Sequence, residues 1–188
     1  TCEIDMFKDA VVFDRPLPWN VSRVTSMQGM FDGAVTFQQP LPWAVSRVTS
    51  MEGMFRGAAS FNQWISRWDV SRVTSMRDMF QHAVLFNDGY VDANGTGFGL
   101  AYLQGVMTQW GVSRVTNMQG MFHGALAFNR DVSTWDVSRV TNMQDMFHGA
   151  VAFSQDVSLW RVSAVTNMRG MFKDVPHFNQ DLSLWDVS

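Results

Sequence analysis

A chain of 188 residues can bury a sizeable core, and with 46% hydrophobic and 16% charged residues it reads as globular rather than disordered. A net charge of −3 excludes the basic footprint of a nucleic-acid binder, and no apolar run approaches the roughly 18 to 20 residues that span a bilayer. The single cysteine, Cys2, excludes an internal disulfide framework, and the opening Thr1 is what a mature, trimmed or excerpted chain would show.

From the N-terminus onward the chain repeats itself. A W-x-V-S motif begins at Trp19, Trp43, Trp68, Trp110, Trp135, Trp160 and Trp185, at intervals of 24, 25, 42, 25, 25 and 25 residues. A Met-Phe pair opens with Met6-Phe7 and recurs up to Met171-Phe172, and a second phenylalanine follows each pair six residues later, from Phe13 to Phe178. Seven copies fill residues 1–188 as one array. A period near 25 belongs to architectures in which each unit buries its apolar face only against its neighbours. The first two joints read "RPLPW" and "QPLPW", one residue short of the later "RDVSTW". Their prolines cannot donate ladder hydrogen bonds, so a poorer strand is expected there. The long interval then carries a 17-residue insertion (42 minus 25) within residues 87–109, where five glycines mark a loop.

The later copies show the unit most clearly. Met118, Met121, Phe122 and Ala125 have the i, i+3, i+4, i+7 spacing of a short helix, with Thr116 or Asn117 as its cap. Gly124 limits it to one or two turns, of α or 3₁₀ type. The β-branched "DVSTWDV" suits a short strand. The expected fold is therefore an α/β repeat solenoid. It is right-handed and leucine-rich-repeat-like, with one short strand and one short helix or 3₁₀ turn per coil of about 25 residues, and a parallel sheet along one side. The chain stops at Ser188, two residues short of the phase in which it starts. That leads to two expectations: an excerpt of a longer array, or a subunit whose ends continue one another in a head-to-tail filament.

"WDVSRVTNMQDMFHGAVAF", residues 135–153, and "FNQDLSLWDVS", residues 178–188, resemble the repeat of the BspA-like surface-protein family, a leucine-rich-repeat relative. The resemblance covers all of the chain except the insertion. It implies an extracellular or cell-surface protein with a structural or adhesive role, and it brings no catalytic residues. The chain is therefore expected to be no enzyme and to need no cofactor. The partners expected are a further copy met end to end, or a host or neighbouring surface protein or glycan.

Several columns of residues compete for a role. Six M-x-x-M pairs offer soft thioethers, but no histidine shares their stripe, and thioethers packed against rings in the core explain them better than Cu(I) does. His123 and His148 fall on adjacent coils, and two ligands rarely complete a metal site. The threonines at 25, 49, 74, 116, 141 and 166 lack the paired rank expected of an ice-binding face. Arg23, Arg47, Arg72, Arg114 and Arg139 share one phase and are the candidate partner-binding residues, as a cationic face for an acidic glycan or a partner's carboxylates, and the insertion loop is the alternative contact for a glycan or protein ligand. Asn20 and Asn94 head N-x-S/T sequons and are candidate glycosylation sites. No catalytic site and no metal site is expected.

Overall fold

The backbone of "VSRVTNMQGMFHGA", residues 112–125, turns far more than it extends. The amide of Val115 donates to the carbonyl of Val112 at 2.8 Å, closing a turn with Ser113 and Arg114 at its corner. Met121 closes on Met118 (3.2 Å), His123 on Gly120 (3.0 Å) and Ala125 on Phe122 (3.0 Å). The amides in between reach out of the coil. Met118, Gly120, Phe122 and Gly124 donate to Asn142, Gln144, Met146 and His148 of the next coil at 2.8–2.9 Å. Local turns and the neighbouring coil thus take alternate amides, which satisfies the backbone without a helix.

The computed structural model describes residues 4–89 and 106–188. Among these, the same scheme recurs along the stack, whose coils are numbered here 1 to 7 by the Met-Phe pairs. It overturns the expected α/β solenoid with leucine-rich-repeat-like coils. No helix forms over 118–125, because Gly120 (φ +58°) and Gly124 (φ +68°) are left-handed and interrupt any right-handed run. No strand forms in "DVSTWDV", because Trp135 closes a turn on Val132 at 3.1 Å. The one regular element among the described residues is the 3₁₀ turn Val106–Gln109. In place of a parallel sheet there is a column of single-residue parallel bridges, Ser26–Ser50–Ser75–Asn117–Asn142–Asn167. Turns on both sides of each bridge leave no room for a second rung.

The side chains supply the continuity that strands would have given. Met118, Met121, Phe122 and Ala125 are completely buried, so the apolar stripe is an interior stripe even though the backbone beneath it is not helical. Rings from successive coils stack at nearly constant spacing. Phe31, Phe55, Phe80 and Phe122 stand 5.5–5.6 Å apart, while Phe37, Phe61, Phe86 and Phe128 stand 6.0–6.1 Å apart. Each buried ring contributes roughly 1.5–3 kcal/mol, and each aromatic pair adds about 0.5–1.5 kcal/mol. Every W-x-V-S tryptophan from Trp43 on turns its indole N–H onto a carbonyl of the preceding coil, as from Trp135 to Met107 at 2.8 Å and from Trp160 to Val132 at 3.1 Å. The proline-bearing coils keep this bond, from Trp43 to Leu17 at 3.1 Å.

The stack passes the insertion without a break. Ser75 bridges directly to Asn117, and Phe80 stacks on Phe122 at 5.6 Å. Residues 90–105 lie outside the described residues. At the near edge, Asn62 Oδ1 accepts the amides of Asn87 and Gly89, both at 2.9 Å. Asp88 solves a local deficit. Regular coils carry an aspartate whose carboxylate accepts a turn amide, as Asp131 does from Ser133 at 2.9 Å. Coil 3 has Trp64 in that place. Asp88, from coil 4, reaches back to accept the amides of Ile65 (3.0 Å) and Ser66 (3.2 Å).

Candidate functional site

The V-S-R-V turn decides where the arginines stand. Its two valines point inward, with Val112 and Val115 at 1% and 0% exposure, so the arginine between them is carried on the outer corner of the coil. Arg23, Arg47, Arg72, Arg114 and Arg139 are all exposed. Each precedes a residue of the bridge column by three positions, so the five occupy consecutive coils, and Arg72 is followed directly by Arg114 despite the insertion. At a strand-like step of about 4.8 Å the row is roughly 20 Å long. Among the described residues, none of the five makes an ion pair. The acids closest in sequence are already engaged. Asp69 accepts the amide of Ser71 (3.1 Å) and Asp136 that of Ser138 (3.1 Å). Hydrogen bonds from those serines hold both carboxyls below the usual aspartate range. Asp136 also feels the charges of Arg161 and Arg139, without an ion pair to either.

The other polar columns are used up by the stack. Each hydroxyl of the threonine column from Thr49 on donates to the threonine carbonyl of the preceding coil, as Thr141 does to Thr116 at 3.2 Å, so this column is a clasp between coils. Asn87 Oδ1 accepts the Asn129 amide at 3.0 Å, and Asn129 Oδ1 accepts that of Ser154 at 3.0 Å. On the face that carries the residue after each Met-Phe pair, the charges of the first three coils pair off. Asp32 lies between Lys8, at 4.0 Å, and Arg56, which holds it through two guanidinium nitrogens. The hydrogen bond to Asp32 raises the Arg56 pKa.

His123 and His148 do fall on adjacent coils, with rings parallel and 4.6 Å apart. His82 joins them, its ring 4.9 Å from that of His123. Reading by phase misses His82, because it sits one residue along, in a position where other coils carry glycine or aspartate. His148 lies between Asp145 (3.5 Å) and Asp174 (3.2 Å), and Gln81 approaches His123 at 3.2 Å. Burial, together with the neighbouring His82 and His148, holds His123 below the usual imidazole range. Among the described residues no group of three or more His, Cys, Asp or Glu is placed to hold a metal ion.

Asp88 is the other titratable group that the sequence does not single out. It is 5% exposed, and burial pushes its carboxyl up to about 6 against the pull of the Ile65 and Ser66 amides. Of the two sequons, Asn20 is exposed and its Oδ1 accepts the Ser22 amide at 3.1 Å, while Asn94 lies outside the described residues.

The repeat matches the family described as "Mycoplasma protein of unknown function, DUF285" over residues 3–95 and 98–188. The chain belongs to this family. The two matched segments take in all seven copies, and the two residues left between them fall inside the insertion. No curated protein matches the chain significantly. Among the described residues of this DUF285 chain, no helix is long and apolar enough to cross a membrane.

Proposed function

We propose that this protein is a non-catalytic surface protein with a structural and adhesive role, extracellular or displayed at the cell surface, and related to the BspA-like repeats that its motif resembles. Its contact face is the arginine row, which recognises a linear polyanion such as an acidic glycan, or a carboxylate-rich protein surface. One observation carries this reading. Among the described residues the arginines of this row make no ion pair on five consecutive coils, while the threonine and asparagine columns are spent on holding the coils together. Like charges at coil spacing repel one another, and an anionic partner relieves that repulsion. Guanidinium groups suit carboxylate or sulfate oxygens because they offer paired donors in a plane.

The test is retention on an immobilised sulfated or uronic-acid polysaccharide, followed as salt is raised. The unaltered chain is expected to bind and to elute at moderate salt. Reversing three consecutive charges, with Arg72→Glu, Arg114→Glu and Arg139→Glu, is expected to weaken binding by about tenfold or more. Equal retention of the reversed variant would refute the role of the row.

A further inference from the structure

Two positions in every coil have left-handed backbone. In the first column, side chains occur at Asp5, Asp78 and Asp145 (φ +52° to +54°), and the other coils carry Gly29, Gly53, Gly120 and Gly170. In the second, side chains occur at Asp9, His82 and Asp174 (φ +56° to +57°), and the others carry Gly33, Gly57, Gly124 and Gly149. Left-handed backbone accounts for the choice of Gly and Asp. It does not account for their order. In neither column does one side chain follow another on the next coil.

The geometry supplies the reason. Five of the six side chains lean forward onto the next coil, into the space where that coil's Cβ would be, and the sixth, Asp174, meets His148 of the preceding coil at 3.2 Å. The Asp5 carboxylate stands over Gly29, Asp78 over Gly120 and Asp145 over Gly170, while Asp9 stands over Gly33 at 2.6 Å from that Cβ position and the His82 ring over Gly124. Where the preceding coil has glycine the space is open. A Cβ at Gly57 would meet Gly33 at 3.6 Å, one at Gly149 would meet Gly124 at 3.9 Å, and one at Gly53 would meet only Arg56 of its own coil, at 3.9 Å.

We propose that the two columns form a docking code between coils: a coil bearing a side chain at either position accepts on its forward face only a coil with glycine there.

Exchanging two residues tests the code within the chain. Gly53→Asp alone places a carboxylate over Asp78 and is expected to lower Tm by about 5 °C or more. Gly53→Asp combined with Asp78→Gly has the wild-type composition and the same number of left-handed aspartates, and it obeys the code. It is expected to recover most of the loss. An exchange variant no more stable than Gly53→Asp, or a Gly53→Asp variant as stable as wild type, overturns the code. If Gly53→Asp yields no folded protein, the exchange variant decides alone, since cooperative unfolding supports the code and failure to fold overturns it.

Discussion

Along the corner of the coils, Arg23, Arg47, Arg72, Arg114 and Arg139 repeat one charge five times, exposed and without an ion pair among the described residues. Along the turn face of the same coils, Lys8, Asp32 and Arg56 alternate in sign, and side chains are separated by glycine in the left-handed columns. The difference follows from what each position touches. A side chain projecting from a corner meets water, so identical residues can recur, with their mutual repulsion screened over about 8–10 Å. A side chain in a left-handed column lies over the backbone of the next coil, where a second side chain would collide or repel. A charged residue can therefore recur where it projects into water, whereas threonine, phenylalanine and tryptophan recur because like side chains clasp or stack from coil to coil.

Substitutions should sharpen this contrast. The largest effect is expected at Gly124, where a β-branched side chain meets both the left-handed backbone and the His82 ring. Gly124→Val is expected to cost about 4 kcal/mol, measured by urea unfolding. Next comes Asp88. Its pKa is raised from 3.8 to about 6 on folding, so between those values the folded state holds a proton that the unfolded state has released. Stability from this group is therefore greatest below about pH 4 and falls through pH 6 by up to about 3 kcal/mol. Asp69 and Asp136 have lowered pKa values and act in the opposite direction, so the measurement is the difference between wild type and Asp88→Asn across about pH 4–7. That difference should shrink toward low pH, and a constant offset would contradict the assignment.

Smaller effects should follow as contact with the next coil lessens. Trp135→Phe keeps a stacked ring but leaves the Met107 carbonyl without its indole donor, at a cost of about 2 kcal/mol in thermal or chemical unfolding. Thr141→Val removes one hydroxyl clasp to Thr116 and should cost about 1 kcal/mol. At the arginine corner, Arg114→Ala should change stability by no more than about 0.5 kcal/mol while still weakening polyanion binding. A large loss of stability there would mean that the row belongs to the stack and is no free face.

Much of the interior is legible directly. The M-x-x-M-F stripe and the second phenylalanine mark buried columns, because positions held to Met, Phe or Ala from copy to copy must face the same environment in each coil. The paired methionines of coils 2 to 6 are completely buried, while Met168 of coil 7 is half-buried and Met6 is exposed. The backbone beneath them is not what the spacing predicts. A pattern of i, i+3, i+4, i+7 reports which residues face inward, and a succession of tight turns satisfies it as well as a helix does. Gly120 and Gly124 carry the contrary signal, and it bears on whether a helix exists rather than on how long it is. At the candidate site, exposure of the arginines is legible from the valines that bracket them. The lack of ion pairs at Arg72 and Arg139 is not, because Asp69 and Asp136 are held by their own turns, whereas Asn20, Ala44 and Gly111 leave the other three coils without a carboxylate in that phase. Asp88 is hidden for a similar reason, since the amides it serves belong to the preceding coil.

The sequence by itself determined the period, the number of copies, the buried columns and the face that carries the arginines, since all of these follow from residue type recurring at a set phase. Only the tertiary structure decided that the coils are made of turns rather than strands and helices, and that side chains of the left-handed columns stand over a glycine of the next coil. The physical reason is that the deciding partners come from the neighbouring coil, one repeat away in the chain. These are the carbonyl that accepts every second amide and the open or occupied space above each left-handed residue.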